Sequence, residues 1–374
     1  MTPKKRIGVL GSTGSIGRQT LAVIESAKEM FEVVFLTAGN NVDLLSQQIS
    51  KFSPKRAAAL CSNTVNAQIP VYDVLALSDP AFYESVDLVV NGIGGLEGLV
   101  PTISVLESSA QLATANKESF VAAGKIVRKF ANKNQKKILP IDSEHSAIFQ
   151  CIDGFGTEKL ILTASGGAFR DLSINELKAA TYKDALKHPT WQMGTKVTID
   201  CATLMNKGFE IIEAFWLFEI DQIEVIMHRE SVVHAMVLLK DGTLKMCLSR
   251  PDMRLPIQYA LTYPERFECI ESPDISILNS LTFSMPDRNK FPCLALGERV
   301  LKNTDLGCVL VSCDKVATDL FALGKIQFTD IPIIIERALL EFSNVSAQNV
   351  TDVLSIDREV REYTLSISKE FLLI

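Results

Sequence analysis

Apolar residues early in the chain fall in short runs closed by turn residues. Ile7–Leu10 is the first, followed by Gly11-Ser12-Thr13-Gly14-Ser15-Ile16-Gly17 and an amphipathic stretch bearing Leu21 and Ile24. That order predicts strand, tight turn and helix. Further runs at Val33–Thr37, Arg56–Cys61, Val86–Asn91, Gln111–Ala115 and Ile138–Ile141 predict strands of α/β units, with a helix over Phe120–Phe130. From Leu160 the pattern changes. Leu160–Thr163 predicts a strand, and Ile199–Glu210 a helix entry running towards Ala214–Phe218. Ile223–Met227, Ser231–Lys240 and Thr243–Ser249 predict antiparallel strands, the last two joined at Asp241-Gly242. Residues 264–292, rich in Pro, Asp, Ser and Asn, suit a linker. Helical periodicity then runs through Cys293–Phe371, as in Leu294, Leu296, Val300 and Leu301. The expected fold is α/β: a Rossmann-like start, an α+β middle with an antiparallel sheet, and a C-terminal helical part.

Composition narrows this only slightly. At 374 residues the chain has room for two or three domains with substantial cores. A hydrophobic share of 47% and a charged share of 22% are ordinary for a globular protein. The net charge of −6 gives no electrostatic reason to expect nucleic acid. No apolar run approaches the roughly 18–20 residues that span a bilayer, so no membrane association is expected. The basic Met1–Arg6 leads into a strand and not into a signal-peptide apolar region. Eight scattered cysteines without a C-x-x-C pair read as reduced thiols, hence a cytoplasmic protein.

The candidate chemistry sits at the ends of the predicted strands. The G-x-x-G-x-x-G turn lets backbone approach a pyrophosphate at a helix N-terminus. Strand two ends in Ala38-Gly39-Asn40-Asn41 without the carboxylate that holds an NAD ribose, which favours NADP. Asn91, Lys117 and Asp142 fall at strand carboxyl ends, where open parallel sheets bind ligands; a surface cap is the plainer reading of Lys117. Asp142-Ser143-Glu144, read as extended, would put two carboxylates on one face. The pair is either a solvated loop with two charges, the commoner meaning of such a spacing alone, or a site whose repulsion calls for a cation or proton between them, where oxygen ligands favour Mg²⁺ or Mn²⁺ over zinc. Ser165-Gly166-Gly167 is either an anion-binding turn or simply a tight one. His188-Pro-Thr-Trp191-Gln-Met193-Gly194 is either a hinged lid or a loop whose Trp plugs the core. On a helix, Asn206 and Glu210 share a face and Lys207 neighbours Glu210. That is an ordinary surface pair, or a phosphate site with a third metal oxygen. His228 and His234 read as structural or interface residues.

Six motifs in this order resemble the 1-deoxy-D-xylulose 5-phosphate reductoisomerase family: residues 11–17, Ala-Asn-Lys-Glu-Ser (115–119), Asp-Ser-Glu-His (142–145), Ser-Gly-Gly (165–167), His-Pro-x-Trp-x-Met-Gly (188–194) and Met-Asn-Lys-Gly-x-Glu (205–210). Weaker similarity runs from Arg-Pro-Asp-Met-Arg (250–254) to the end. The resemblance implies an NADPH-binding domain over 1–142, a catalytic and dimerisation domain over 143–264, a linker over 265–292 and C-terminal helices over 293–374. It also implies a homodimer acting on a sugar phosphate in the non-mevalonate route to isoprenoids. The substrate's C3–C4 bond breaks and re-forms through C2, and NADPH reduces the resulting aldehyde to 2-C-methyl-D-erythritol 4-phosphate.

By the same resemblance, Asp142, Glu144 and Glu210 hold Mg²⁺ or Mn²⁺, with Co²⁺ a further candidate. Lys117, Ser143, Ser165, His188, Trp191, Cys201, Asn206, Lys207 and Glu210 meet substrate, with Lys117, Asp142, Glu144, Glu210 and His188 counted as catalytic. Thr13, Gly14, Ser15, Ile16, Gly39, Asn40, Asn41, Asn116, Glu118 and Gly194 meet NADPH. The chain departs from the family pattern in places. Cys201 stands where the family usually has a phosphate-binding Ser, and Asn40 where it often has Lys. His228-Arg-Glu-Ser231 replaces His-Pro-Gln-Ser, and Asp314-Lys315 replaces Asn-Glu. The competing readings are a plain NADP-dependent dehydrogenase and a catalytically degenerate NADP-binding protein of the same fold.

Overall fold

The strand expected at the start of the chain is there: β1 (Lys5–Leu10) passes from partly exposed to fully buried along its length. In this computed structural model, residues 3–152, 156–187, 189, 191 and 193–373 are described. They form two units. The first comprises Met1–Ser119, Val127–Ser146 and Asp252–Ser272; the second comprises Phe120–Ile126, Ala147–Pro251 and Pro273–Ile374.

The first unit is a doubly wound sheet. After β1 come α1 (Ser15–Ser26), β2 (Phe31–Ala38), α2 (Val42–Phe52), β3 (Arg56–Ala59), β4 (Val71–Asp73), β5 (Leu88–Asn91), α3 (Leu99–Glu107), β6 (Gln111–Thr114), α4 (Lys117–Lys133) and β7 (Leu139–Pro140). The strands lie in the order β4-β3-β2-β1-β5-β6-β7, and every pairing is parallel. The order reverses between β1 and β5, which is the crevice where such sheets hold ligands. The short, exposed β4 is an element the hydrophobic pattern does not reveal.

One expectation fails here. The acidic pair is not extended: the chain leaves β7 and enters α5 (Ser143–Cys151) at once, so Glu144 lies in a helical first turn with Asp142 just before it. Only Leu139–Pro140 pairs as a strand in the sheet; Ile141 N still donates to the Thr114 carbonyl of β6 (2.8 Å), and the helix begins two residues later.

In the second unit β8 (Thr157–Ala164) is followed by two single-turn helices, α6 (Ile174–Leu177) and α7 (Tyr182–Ala185), then α8 (Thr195–Thr203) and α9 (Met205–Phe218). β9 (Ile223–Met227), β10 (Val233–Leu239) and β11 (Leu244–Leu248) complete a sheet ordered β11-β10-β8-β9. β10 is antiparallel to both its neighbours, while β8 and β9 are parallel, so the sheet is mixed. The Asp241-Gly242 turn joins β10 to β11, with Gly242 at φ +87°. The chain then returns to the first unit as α10 (Arg254–Thr262), whose Leu261 carbonyl accepts a hydrogen bond from Lys5.

Back in the second unit, residues 273–291 are irregular apart from a 3₁₀ stretch at Ile275–Ser280 and a bridge between Ser284 and Met227. The helices α11 (Pro292–Leu301), α12 (Gly307–Ala322), α13 (Asp330–Glu341) and α14 (Val350–Ser368) follow. Glycines set two close approaches in this unit. A Cβ on Gly297 would lie 2.4 Å from the Gly208 Cα, so α11 crosses α9 almost backbone to backbone. A Cβ on Gly124 would strike the Trp216 indole at 2.1 Å. Among the described residues no helix is long and apolar enough to cross a membrane.

Candidate active site

Two groups of functional side chains are built by two kinds of local geometry. The first group stands on strand ends of the parallel sheet. Gly11 takes φ +70°, open to glycine at little cost. A Cβ on Gly17 would meet the Gly11 carbonyl oxygen at 2.3 Å, so α1 starts hard against the turn only because Gly17 is bare. Ser12, fully buried, donates to the Thr37 carbonyl (3.0 Å) and to Gln48 Oε1 (2.7 Å), tying the turn to β2 and α2. The motif did not single out Thr37 or Gln48, because they are joined to it only in space. Thr13, Gly14, Ser15 and Ile16 thus occupy the tip of the turn and the start of α1; the Gly14 N–H closes the turn on the Gly11 carbonyl (3.0 Å), and the first N–H groups of a helix have no acceptor within it.

Gly39, Asn40 and Asn41 follow β2, and Asn41 caps α2 by accepting from Leu44 N (3.2 Å). Asn116 does the same for α4 and also donates to the Ile93 and Gly95 carbonyls at 2.8 and 2.7 Å. It holds Glu118 Oε2 at 3.2 Å. Lys117 is not a surface cap: it is 7% exposed, with its ammonium 2.5 Å from Asp142 Oδ2. Glu144 accepts a hydrogen bond from the Ser143 hydroxyl, and Asp142 and Glu144 bring carboxylate oxygens within 4.8 Å of each other. The first turn of α5 therefore achieves the convergence expected of an extended pair, by a different route.

The second group is built on helices. Gly166 and Gly167 both have positive φ (+87° and +63°), and a Cβ on Gly167 would lie 2.4 Å from the Cys201 carbonyl oxygen. This packs the Ser165 turn onto the end of α8, beside Cys201. Leu204 then adopts the left-handed region (φ 60°), redirecting the chain from α8 into α9. One turn on, Asn206 and Lys207 both reach Glu210, at 2.5 Å each, as their spacing predicts. All three are buried, Glu210 to within 1%. Gly194 opens α8, its carbonyl accepting from Thr198 N. Trp191 lies with its ring 5.9 Å from that of His234. His188 lies outside the described residues, as do Thr190 and Gln192 of the same loop.

His234 is structural, as expected: buried, and hydrogen-bonded to Ser249 Oγ at 2.8 Å. Burial pushes its pKa down to about 4. His228 is fully buried and accepts from Val232 and Val233 N–H groups. A further cluster escaped sequence reasoning. Lys196, in the first turn of α8, reaches Asp200 at 2.6 Å and also Asp314 of α12. Burial works against the ammonium, but the two carboxylates outweigh it and its pKa is raised. Burial likewise raises the Asp314 carboxyl, although Lys196 pulls it back. The i,i+4 spacing of Lys196 and Asp200 was a usable signal; nothing local points to Asp314.

Comparison with known proteins gives one answer along the whole chain. Residues 7–124 match the model for 1-deoxy-D-xylulose 5-phosphate reductoisomerase, and residues 138–218 and 248–363 match models for C-terminal domains of that enzyme. The reductoisomerase of Thermoanaerobacter pseudethanolicus is 44% identical over 98% of this chain and 100% of its own length. That of Caldanaerobacter subterraneus subsp. tengcongensis is 45% identical over 96% and 98%. A crystal structure of DOX-P reductoisomerase with NADPH, fosmidomycin and magnesium superposes with a TM-score of 0.92 at 35% identity, covering 98% of each chain. The Zymomonas mobilis enzyme with NADPH superposes with a TM-score of 0.91 at 34% identity, covering 98% of this chain and 99% of its own.

Proposed function

The chain belongs to the 1-deoxy-D-xylulose 5-phosphate reductoisomerase family, and we propose that it converts 1-deoxy-D-xylulose 5-phosphate to 2-C-methyl-D-erythritol 4-phosphate with NADPH. The observation that carries this reading is the converging acidic pair Asp142 and Glu144, with the buried Lys117 held against Asp142. A nucleotide turn alone would serve any dehydrogenase. Two converging carboxylates beside a buried ammonium have no task in simple hydride transfer.

Their oxygens are a donor set suited to a hard divalent ion, Mg²⁺ or Mn²⁺, with Co²⁺ also tolerable. We assign Asp142, Glu144 and Glu210 to hold it, and when bound it supplies a Lewis acid for the substrate's carbonyl and hydroxyl. NADPH supplies the hydride, with Thr13, Gly14, Ser15, Ile16, Gly39, Asn40, Asn41, Asn116, Glu118 and Gly194 as its contacts. Ser165, Cys201, Asn206 and Lys207 take the phosphate, and Ser143 and Lys117 orient the reacting oxygens. The Lys117 ammonium also lowers the cost of negative charge developing on the sugar. Trp191 closes over the substrate and excludes water from a fragment that must recombine; His188 is assigned to the same subsite by resemblance alone. The division at 1–142, 143–264, 265–292 and 293–374 belongs to this proposal, as does a cytoplasmic location, which eight free thiols favour.

We also infer a homodimer. β11 is an edge strand, and Leu244, Met246 and Leu248 stand exposed on one of its faces at 43%, 43% and 36%. Such a row invites burial against a second copy. Sedimentation should give twice the chain mass, and Met246→Lys should shift it towards the monomer; a monomeric parent protein would end this part of the proposal.

The deciding assay follows NADPH oxidation with 1-deoxy-D-xylulose 5-phosphate, with and without Mg²⁺ or Mn²⁺. Metal-dependent oxidation yielding methylerythritol phosphate, abolished in Glu210→Gln, is expected. A folded, metal-loaded protein that oxidises no NADPH would overturn the reading and leave the degenerate NADP-binding protein in its place.

A further inference from the structure

We propose that Cys151 and Cys247 are a redox-modification site that closes to a reversible intramolecular disulfide. Cys151 ends α5, the helix whose first turn bears Glu144, and Cys247 sits on edge strand β11. Their side chains are in hydrogen-bond contact, so two thiols distant in sequence already face each other. The sheet register explains how. Cys247 pairs with Ala235, which pairs with Leu162, which pairs with Val225, and the last three are all buried. Cys247 is therefore the outer end of a row on the covered face, while its neighbours Met246 and Leu248 point to the exposed one. Lys245, two residues away and on the same face as Cys247, donates to the Cys151 carbonyl at 3.4 Å. Both cysteines are half-buried, within reach of a small oxidant.

The electrostatics favour one partner as the attacking thiol. The Cys247 hydrogen bond, resisted by burial and assisted by Lys245, holds Cys151 down at about 7. A substantial fraction is then thiolate at neutral pH. Other thiols in the chain go the opposite way: burial pushes Cys308 up to about 12, and raises Cys293 and Cys313 well above the ordinary thiol value.

The oxidant is a low-molecular-weight disulfide such as glutathione disulfide. The Cys151 thiolate attacks one of its sulfurs, the S–S bond breaks, and one glutathione leaves as a thiolate and takes up a proton. Cys247 loses its proton to water and attacks the Cys151 sulfur of the mixed disulfide, expelling the second glutathione. Two protein thiols are oxidised, and one disulfide is reduced to two thiols. The product joins the C-terminal end of α5 to β11.

The test treats the full-length protein with glutathione disulfide at neutral pH and reads intact mass and a non-reducing peptide map. The expected product has lost two hydrogens, carries a 151–247 linked peptide and reverts with dithiothreitol. Cys247→Ser should stop at a glutathione adduct on Cys151. A second readout is the pH dependence of Cys151 alkylation, whose midpoint near 7 should move up by about one unit or more in Cys247→Ala. A parent protein that gives only glutathione adducts, or a crosslink between other cysteines, would overturn the proposal. So would a Cys151 alkylation midpoint unchanged by Cys247→Ala.

Discussion

The Lys117 ammonium lies 2.5 Å from Asp142 Oδ2, and both groups are about nine-tenths buried. This cation already neutralises one of two carboxylates whose oxygens approach within 4.8 Å. With the metal ligands assigned as proposed, lysine and divalent ion answer the same excess of negative charge. In Lys117→Met the acidic pair loses its internal cation, and the fold should lean harder on the external one. Ligand binding raises stability by RT ln(1 + [L]/Kd), so a tighter ion gives a larger thermal shift. The rise in melting temperature on adding Mn²⁺ should be larger in Lys117→Met than in the parent, while turnover falls about a hundredfold or more. An equal or smaller thermal shift would mean that Lys117 does not share the charge of that site.

Cys201 stands against the Ser165-Gly166-Gly167 turn because Gly167 lets the two backbones close to within a Cβ's radius. A thiol there is a weaker donor to phosphate than a hydroxyl. Restoring the oxygen should recover the net value of one hydrogen bond, about 0.5–1.5 kcal/mol. Cys201→Ser should accordingly lower the substrate KM by roughly two- to tenfold with little change in kcat or in the KM for NADPH. Steady-state kinetics at saturating metal decides it, and an unchanged KM would show that residue 201 does not touch the phosphate.

These two sites also show what a sequence can and cannot reveal. The glycine turn was legible because its constraint is local: Gly11 needs positive φ, and Gly17 must lack a Cβ. Asn206, Lys207 and Glu210 were legible because helix periodicity alone sets which side chains meet. The two carboxylates of Asp142 and Glu144 converge as their spacing suggests but on a different backbone, since i and i+2 can meet both along a strand and across the entry to a helix. Non-local closure was illegible. Nothing near Asp314 announces that it will share Lys196 with Asp200, and nothing near α10 announces its return to the first unit. The short β4 carries too few buried residues to leave a pattern.

Gly297 connects scaffold to chemistry. Its missing Cβ lets α11 press on Gly208 of α9, which follows Lys207 and stands two residues before Glu210. Gly297→Ala would put a methyl 2.4 Å from the Gly208 Cα, and backbone cannot rotate away as a side chain could. Overpacking of this kind typically costs about 1–3 kcal/mol. Chemical denaturation should register that loss. The displaced α9 should lower kcat, whereas NADPH affinity, which the proposal assigns to the glycine turn of the other unit, should hold. Loss of NADPH binding together with kcat would instead indicate general unfolding.

His234 makes stability depend on pH in a definite direction. Burial lowers its folded pKa to about 4, against 6.5 for the free side chain; the Ser249 hydrogen bond opposes that shift and the nearby Lys207 charge adds to it. The unfolded chain then binds a proton that the folded chain refuses. Stability from this group is complete above pH 6.5 and drains away as pH falls from 6.5 to about 4. At about 1.36 kcal/mol per pKa unit, the full effect is roughly 3 kcal/mol. Carboxylates held low, such as Asp87 beside Arg6, are lost only further down. Denaturation curves for the parent and His234→Gln at pH 7.5, 6, 5 and 4 should therefore diverge, the parent losing roughly 3 kcal/mol more across that range. Parallel losses in the two proteins would mean that His234 is not held neutral by the fold.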